Sequence, residues 1–258
     1  MVSAYWYKRE VNFGDLLTPR LLEFFGVGAR HSDVNQSDIL LLGSILQDVS
    51  VNFSGIIAGA GLIGDLTKSF PEAKILGLRG YLTKDRLGIK YDVTLGDPGI
   101  LASFLVRERS EKTHVLGIVP HYVDKADPRL ALLATRYPDD ILLIDVQQSP
   151  ENVISLIDSC MFIVSSSLHG LIIADSLAIP NRWLMLSNKV LGDGFKFFDY
   201  YSVYDFKPNP LELVGDISLS QIINGCNSQS AIQVSRVKGA VFRMMRELSD
   251  RFRLDPMR

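Results

Sequence analysis

The sequence has few cysteines and no long apolar segment, and these absences exclude several classes of protein. Its 258 residues include two cysteines, Cys160 and Cys226, which lie far apart and lack the spacing of metal ligands. We expect free thiols in a reducing compartment, not a disulfide framework. The apolar stretches fall short of the roughly 18 residues that a membrane span needs. The first ten residues also lack the apolar region of a signal peptide. We therefore expect a cytoplasmic protein.

The chain also lacks an excess of charge of either sign. It carries 27 lysines and arginines against 29 aspartates and glutamates, a formal net charge of −2. A nucleic-acid-binding protein usually has a clear excess of lysine and arginine over aspartate and glutamate, so we expect no nucleic-acid partner. Hydrophobic residues make up 47% and charged residues 22% of the chain, which is typical of a globular protein that can bury a large core.

Short apolar runs, each followed by small or polar residues, recur along the chain. They lie at residues 2–7, 38–42, 55–58, 73–78, 93–95, 115–119, 141–145, 161–164 and 183–186. Helical patterns lie between them, at residues 16–25 with Asp15 as the cap, 81–87, 128–136 and 150–158. Nearly continuous apolar strands that alternate with helices predict parallel sheets covered on both faces. The sequence therefore predicts an α/β fold with two Rossmann-like parallel-sheet domains that face a cleft.

A polar connector at residues 107–112 suggests the boundary between these domains. We predict an N-terminal domain over residues 1–108 and a C-terminal domain over 109–229. Residues 230–258 form a third segment, which contains a long helix with an apolar stripe and a basic face. Two interpretations stay open for it. The helix packs back across the fold, or it lies at a membrane surface on the inner face of the plasma membrane.

The segment at residues 160–180 contains the main candidate site. An apolar strand is followed by three serines, His169 and Gly170, and then by residues with helical spacing. The serine hydroxyls are placed to cap the new helix. A helix N-terminus at the end of a parallel strand can bind an anion without a metal. On this segment alone, His169 is equally consistent with an ordinary turn residue.

Other polar residues follow predicted strands, where open α/β sheets bind ligands. Asn12 and Asp15 follow the first strand and Arg79 the fourth, so a small dianionic donor would find cationic and amide groups there. A salt bridge to Asp85 or to a neighbouring domain is the alternative for Arg79. Residues 59–64 match the dinucleotide fingerprint, but they follow the third predicted strand and a proline soon interrupts them. We predict a loop facing a sugar or phosphate there, not an NAD site.

Five short motifs occur in a fixed order. They are Asn-Phe-Gly-Asp at residues 12–15, Leu-Arg at 78–79 followed by Lys-Asp-Arg-Leu-Gly at 84–88, Gly-Asp-Pro at 96–98, Pro-His-Tyr at 120–122 and Ser-Ser-Leu-His-Gly at 166–170. With these motifs the chain resembles the polysaccharide pyruvyl transferase family from about residue 10 to residue 205. The resemblance implies transfer of pyruvate from phosphoenolpyruvate to two sugar hydroxyls, which forms a ketal in exopolysaccharide or cell-surface glycan biosynthesis. It also implies a GT-B-like fold, no cofactor, no metal, and a free or lipid-linked saccharide acceptor.

The resemblance implies that the N-terminal domain is the acceptor side and the C-terminal domain the donor side, and it assigns roles to individual residues. Arg79 matches the arginine that the family places against phosphoenolpyruvate, and His169 matches its donor-contacting histidine, the expected acid. The catalytic set is His169, Arg79 and Asp15. The donor-binding set is Arg79, Ser166, Ser167, Leu168, His169, Gly170 and Lys196. The acceptor-binding set is Asn12, Asp15, Gly43, Ser44, Gly61 and His121.

Two points in these assignments stay open. Some family members have an arginine where this chain has Ser167, so the turn backbone, Arg182 or Lys196 would have to replace that charge. Asp15, Asp97 and His121 are unranked candidates for activating a hydroxyl, and Asp97 is equally consistent with a turn residue. Two other functions also remain: a nucleotide-sugar glycosyltransferase of similar architecture and a saccharide-binding protein without turnover.

Overall fold

Short apolar strands form two parallel sheets in the computed structural model, which describes residues 1–106 and 108–253. Among these residues, the first sheet has six strands: Val2–Tyr5 (β1), Ala29–His31 (β2), Ile39–Leu40 (β3), Ile56–Ala58 (β4), Lys74–Leu78 (β5) and Thr94–Leu95 (β6). The second sheet has five within the same described ranges: His114–Val119 (β7), Ile141–Leu143 (β8), Cys160–Ser165 (β9), Asn181–Met185 (β10) and Leu211–Glu212 (β11). The prediction of an α/β fold with two Rossmann-like parallel sheets is confirmed.

Helices connect most successive strands, while β2 to β3 and β4 to β5 are joined without a helix, and the last two helices follow β11. The helices are Phe13–Phe24 (α1), Tyr81–Arg86 (α2), Pro128–Arg136 (α3), Pro150–Asp158 (α4), Leu168–Ser176 (α5), Phe195–Ser202 (α6), Leu219–Ile223 (α7) and Ala231–Arg253 (α8). Two 3₁₀ helices, Leu46–Asp48 and Pro98–Phe104, complete the first half. No helix in the described part of the chain is long and apolar enough to cross a membrane.

Both sheets have the same kind of strand order. The first runs β2-β1-β3-β4-β5-β6 and the second β11-β10-β9-β7-β8. In each case the first strand along the chain lies between the second and the third, and all paired strands are parallel. The chain therefore changes direction across the sheet beside β1 in one half and beside β7 in the other. Such switch points are where α/β sheets bind ligands, beyond the carboxyl ends of the strands.

One apolar core joins the two sheets. The buried side chains of Phe13 and Leu17 on α1, Ile154 on α4 and Ile172 on α5 belong to the same cluster. After the second sheet, α8 returns to the first one, where Val237 and Val241 lie against Gly96, and Met244 lies against Gly77. This is the first of the two arrangements expected for the C-terminal helix. Residues 254–258 of that predicted segment lie outside the described residues.

The structure corrects several local predictions. Helix α1 begins at Phe13, not at residue 16, because Asn12 is its cap: the Asn12 Oδ1 accepts a hydrogen bond from the Gly14 N–H at 3.0 Å. Asp15 therefore lies in the first turn and is not the cap. Strands β2 and β11 and helices α6 and α7 were not predicted. The glycine-rich residues 59–64 follow β4, the fourth strand, and no helix begins within the described residues 62–73 that follow.

Candidate active site

The two switch points open onto the same cleft, which has a volume of about 310 Å³. The loops after β1 and β3 form one wall, and the loops after β7 and β9 form the other. Nine residues from the predicted catalytic, donor and acceptor sets line it: Asn12, Asp15, Gly43, Ser44, His121, Ser167, Leu168, His169 and Lys196. Residues distant in sequence are brought together because parallel strands place their carboxyl ends at one edge of each sheet.

Four predicted residues lie outside the cleft wall: Arg79, Gly61, Ser166 and Gly170. Gly170 packs its backbone on Ser165, since a Cβ there would lie 2.3 Å from the Ser165 Oγ. Gly61 lies against the guanidinium of Arg79, where a Cβ would come within 2.4 Å of Cζ. These two glycines therefore allow close packing beneath the cleft. Ser166 lies between the cleft and a second cavity, described below.

Arg79 is fully buried under the cleft floor. Its Nε donates to the Asp199 Oδ2 at 2.8 Å and its Nη2 to the Leu62 carbonyl at 2.5 Å. Its Nη1 donates to the Ser44 Oγ at 2.6 Å, and Ser44 lines the cleft. Asp199, and not Asp85, is therefore the ion-pair partner of Arg79. The guanidinium is thus linked to the cleft by its hydrogen bond to Ser44. Direct contact between Arg79 and the donor substrate stays a prediction.

The N-terminus of α5 faces the cleft with uncapped amide groups. Ser167 is the capping residue, but its side chain accepts no hydrogen bond from the helix. The Ser165 Oγ instead accepts from the Ser167 N–H at 3.0 Å, and the Ser166 Oγ accepts from the His121 N–H at 2.8 Å. The prediction that these serines cap the helix is therefore wrong.

This arrangement leaves backbone N–H groups of α5 available to a ligand. The N–H groups of Leu168 and His169 have no acceptor among the residues that the structure describes. Both residues line the cleft. Two unpaired amides at the positive end of a nine-residue helix are suited to bind a phosphate or carboxylate.

His169 lies in a close-packed position between the two halves. Its ring packs on Gly14 at the start of α1 and makes an edge contact with Phe13, with ring centroids 6.4 Å apart. The imidazole Nε2 is buried and has no hydrogen-bond partner within the described residues. Burial, together with the positive charges of Lys196 and Arg79, lowers its pKa to about 3. The imidazole is therefore neutral at neutral pH.

Asp15 and Lys196 form an oppositely charged pair of groups at the cleft. Burial raises the pKa of the Asp15 carboxyl to about 7, against the opposing effect of Lys196. Burial lowers the pKa of Lys196 to about 8, with a contribution from Arg79, while Asp15 and Asp124 act in the opposite direction. Both groups therefore titrate near neutrality, which is the range in which an acid or base works efficiently.

The remaining candidates differ in their placement. His121 lines the cleft, its ring centroid is 4.3 Å from that of Tyr122, and burial lowers its pKa to about 4. Asp97 is buried away from the cleft wall, and its Oδ1 accepts from the Gly99 N–H at 2.8 Å. Asp97 therefore caps the 3₁₀ helix at Pro98–Phe104, which is the turn role left open above. Arg182 likewise lies outside the cleft, and its side chain donates to the Asn209 carbonyl at 3.1 Å.

Several cleft residues escaped the sequence analysis. They are Tyr7, Ile45, Gln47, Asp48, Ile63, Tyr122 and Leu191. Most lie in loops several residues beyond a strand, where no local pattern indicates which side chain turns inward. Tyr122 could have been included, because it belongs to the Pro-His-Tyr motif that follows β7.

The chain is similar in sequence to known proteins. Residues 49–188 match the family described as polysaccharide pyruvyl transferase. The chain is 35% identical to protein L143 of Acanthamoeba polyphaga mimivirus over 220 residues, which covers 79% of this chain and 74% of the viral protein. It is 27% identical to the succinoglycan biosynthesis protein ExoV of Rhizobium meliloti (strain 1021) over 210 residues. That match covers 78% of this chain and 64% of ExoV, somewhat less than two thirds of its length.

Proposed function

Because the chain belongs to the polysaccharide pyruvyl transferase family, we propose that it moves the pyruvyl unit of phosphoenolpyruvate onto two hydroxyls of a saccharide. The product is a pyruvate ketal in exopolysaccharide or other cell-surface glycan biosynthesis. One observation carries this proposal. The uncapped α5 amides, the Lys196 ammonium, the neutral His169 imidazole and the Asp15 carboxyl all meet in one cleft.

In this mechanism the donor binds as an anion. The N–H groups of Leu168 and His169 and the ammonium of Lys196 hold its phosphate, and they stabilise the negative charge that grows as phosphate leaves. Ser44, held by Arg79, offers a hydroxyl at the opposite wall for the donor carboxylate. Arg79 thus acts from below the site, where its charge also favours an anionic ligand.

The proton transfers follow from the pKa values. Asp15, whose pKa is about 7, donates a proton to the methylene carbon of the donor, which forms a C–H bond and leaves a cationic centre on the adjacent carbon. A sugar hydroxyl adds there and gives its proton to the neutral His169. The C–O bond to phosphate then breaks with its electron pair on phosphate, which takes up the proton held by His169. The second hydroxyl closes the ketal and gives its proton to the Asp15 carboxylate, so both side chains return to their starting state. This assigns His169 as the base, in place of the acid that the resemblance implied.

The test combines a transfer assay with matched variants. Purified protein is incubated with phosphoenolpyruvate and a panel of glycosides, and both phosphate release and acid-labile pyruvate in the product are measured. We expect His169→Ala to lose about 10² to 10⁴ in rate, the usual contribution of a positioned base. The control is His114→Ala, since His114 lies on β7 outside the cleft wall.

The same assay separates the alternatives. Turnover of UDP-glucose or GDP-mannose without phosphate release from phosphoenolpyruvate would contradict the proposal and favour a glycosyltransferase. Saccharide binding without turnover of any donor would favour a binding protein. If the protein neither turns over nor binds any saccharide of the panel, the proposal that the cleft takes a saccharide acceptor is contradicted.

The proposal includes a cytoplasmic location and a peripheral membrane contact for lipid-linked acceptors. The exposed face of α8 carries Arg236, Arg243 and Arg246. Beside it, Phe24 and Phe104 stack at 6.0 Å between ring centroids and are 47% and 45% exposed. Basic and aromatic side chains on one surface are suited to anionic lipid. Co-sedimentation with phosphatidylglycerol vesicles tests this, and equal binding to phosphatidylcholine vesicles or none would contradict it.

A further inference from the structure

A second cavity of about 280 Å³ adjoins the active-site cleft. It lies beyond the carboxyl ends of β9 and β10, and the loop at residues 187–194 covers it. Three pairs of consecutive residues separate it from the cleft, one member of each pair facing each space: Ser166 and Ser167, Val190 and Leu191, Phe197 and Lys196. The wall between the two spaces is thus one residue thick. We call this cavity the side pocket.

A buried carboxylate with one unpaired oxygen lines the side pocket. Asp124 is only 4% exposed, and its Oδ1 accepts a hydrogen bond from the Ser187 Oγ at 2.5 Å. Its Oδ2 is buried and has no partner in the described part of the chain. A buried carboxylate oxygen without a donor costs free energy, and a ligand that brings a donor recovers it.

The charges of the side pocket exclude the anionic donor. Asp124 and Asp193 line it, and no lysine or arginine does so among the described residues. The carboxylates would repel phosphate, whereas a hydroxyl group is a neutral donor suited to the Asp124 Oδ2. Trp183, Leu186 and Val190 supply apolar surface of the kind that covers the C–H face of a sugar ring.

We propose that the side pocket binds the sugar ring next to the one that receives pyruvate, with a ring hydroxyl donating to the Asp124 Oδ2. This inference rests on the proposed function and deepens it. The volume of about 280 Å³ lies just below the roughly 300–1,000 Å³ range for ligand pockets, which fits one ring. The protein would therefore prefer an acceptor of at least two linked rings over a single sugar.

The test compares one-ring with two-ring ligands on the full chain. The probes are methyl β-galactoside with methyl β-lactoside, and methyl β-glucoside with methyl β-cellobioside. Binding is measured by calorimetry in the presence of phosphoenolpyruvate, and KM is measured by phosphate release. We expect the wild type to bind the two-ring member of at least one pair about tenfold more tightly, as one good hydrogen bond to a buried charge allows.

Two variants address the side pocket independently. Asp124→Ala removes the carboxylate that accepts the hydrogen bond from the sugar. Val190→Phe fills the cavity and leaves Asp124 in place. Both should abolish the two-ring preference and leave the one-ring Kd unchanged. Val190→Phe should also leave the KM for phosphoenolpyruvate unchanged, whereas Asp124→Ala should raise it, because Asp124 supports the positive charge of Lys196. The matched control is Asp145→Asn, an exposed aspartate of the same half that follows β8, which should retain the preference.

The outcomes separate this inference from the proposed function. Equal affinity for one and two rings in the wild type, or a preference that survives both Asp124→Ala and Val190→Phe, would overturn the side-pocket proposal. A two-ring preference that these variants abolish, in a protein that never releases phosphate from phosphoenolpyruvate, would support the side pocket while contradicting pyruvyl transfer.

Discussion

At the scale of single residues, the position of His169 depends on the absence of a side chain at residue 14. A Cβ on Gly14 would lie 2.1 Å from the His169 Nδ1 and 2.5 Å from its Cγ. No folded protein tolerates such a contact without movement. The glycine is required here because the ring occupies that space, and not because the backbone adopts a left-handed conformation, since Gly14 lies within helix α1.

Gly14→Ala should therefore displace the imidazole while the fold remains intact. Alanine favours a helix over glycine by about 1 kcal/mol, which offsets part of the strain. We expect phosphate release to fall by about 10² or more, because a misplaced base loses its contribution, with an unchanged circular dichroism spectrum. Gly64→Ala is the control, since its Cβ would meet only Gly192, at 3.7 Å. Full activity in Gly14→Ala would show that the contact with His169 is unimportant.

Asp15 gives a prediction about stability and pH. Its pKa is about 7 in the folded protein against 3.8 for the ordinary carboxyl, so between these values the folded state binds the proton that the unfolded state releases. The carboxyl therefore destabilises the fold progressively as pH rises from about 4 to 7, and fully above that range. Asp15→Asn should raise the free energy of unfolding at pH 8 by on the order of 1 kcal/mol.

Urea unfolding at pH 8 and pH 5 checks the sign of this effect. The gain from Asp15→Asn should shrink at pH 5, where the folded carboxyl is already protonated. Phosphate release by the variant should fall at both pH values, since asparagine has no acidic proton to donate. A gain that is equal at the two pH values would exclude the raised pKa as its cause.

At the scale of elements, one buried ion pair joins α6 to the first sheet. Asp199 on α6 accepts from the Arg79 Nε, from the Thr83 N–H at 2.8 Å and from the Thr83 Oγ1 at 2.6 Å. Thr83 lies on α2, so a single carboxylate fixes α2 and the end of β5 to α6. Lys196 lies one turn before Asp199 on the same helix and is positioned by this anchor.

Asp199→Ala should destabilise the protein by about 3–5 kcal/mol, because it leaves the Arg79 charge buried and unpaired. It should also raise the KM for phosphoenolpyruvate as Lys196 shifts. Urea unfolding measures the first effect and phosphate release the second. The matched control is Asp65→Ala, which breaks the exposed pair with Arg86 and should cost less than about 1 kcal/mol. Similar losses in the two variants would contradict a special role for the buried pair.

Some helices and strands could be predicted from the sequence and others could not. Helices α3 and α4 were predicted with their observed bounds, since each has an apolar stripe, a proline in its first turn and a capping residue, Asp127 or Ser149. Helix α6 was missed because its aromatic side chains are buried on several sides and give no clear stripe. Strands β2 and β11 were missed because their sequences, Ala-Arg-His and Leu-Glu, contain no apolar run.

The same limits apply to the site. Cleft residues such as Asn12, Ser44 and His169 could be predicted because each follows a parallel strand, and topology alone gathers such residues at one edge. The ion pair of Arg79 could not, because its partner is 120 residues away in a helix that had not been recognised. The neutral state of His169 could not be predicted either, because it depends on the burial of the imidazole between the two halves.

At the scale of the whole molecule, the largest buried apolar cluster in the described residues spans both halves, and α8 contributes to it. Leu248 and Met245 on α8 are fully buried, and Met244 is 3% exposed. All three belong to the cluster that also contains Ile172 of the second half. The halves are therefore expected to unfold together in one cooperative transition.

Met244→Ala should lower the free energy of unfolding by about 2–5 kcal/mol, the usual cost of truncating a buried methionine. The transition should stay single when followed by fluorescence and by circular dichroism. Ile232→Ala, at a residue that is 82% exposed on the same helix, should change stability by less than about 0.5 kcal/mol. Two resolved transitions in the wild type would show that the sheets fold independently.

The return of α8 also has a consequence for protein synthesis. Strands β4–β6 leave the ribosome long before the helix that covers them, whereas the second sheet has its own flanking helices as soon as residue 223 is made. The apolar surface of the first half that α8 covers is therefore exposed while the second half is translated. A nascent chain stalled before Ala231 should therefore expose apolar side chains of the first sheet that chaperones recognise.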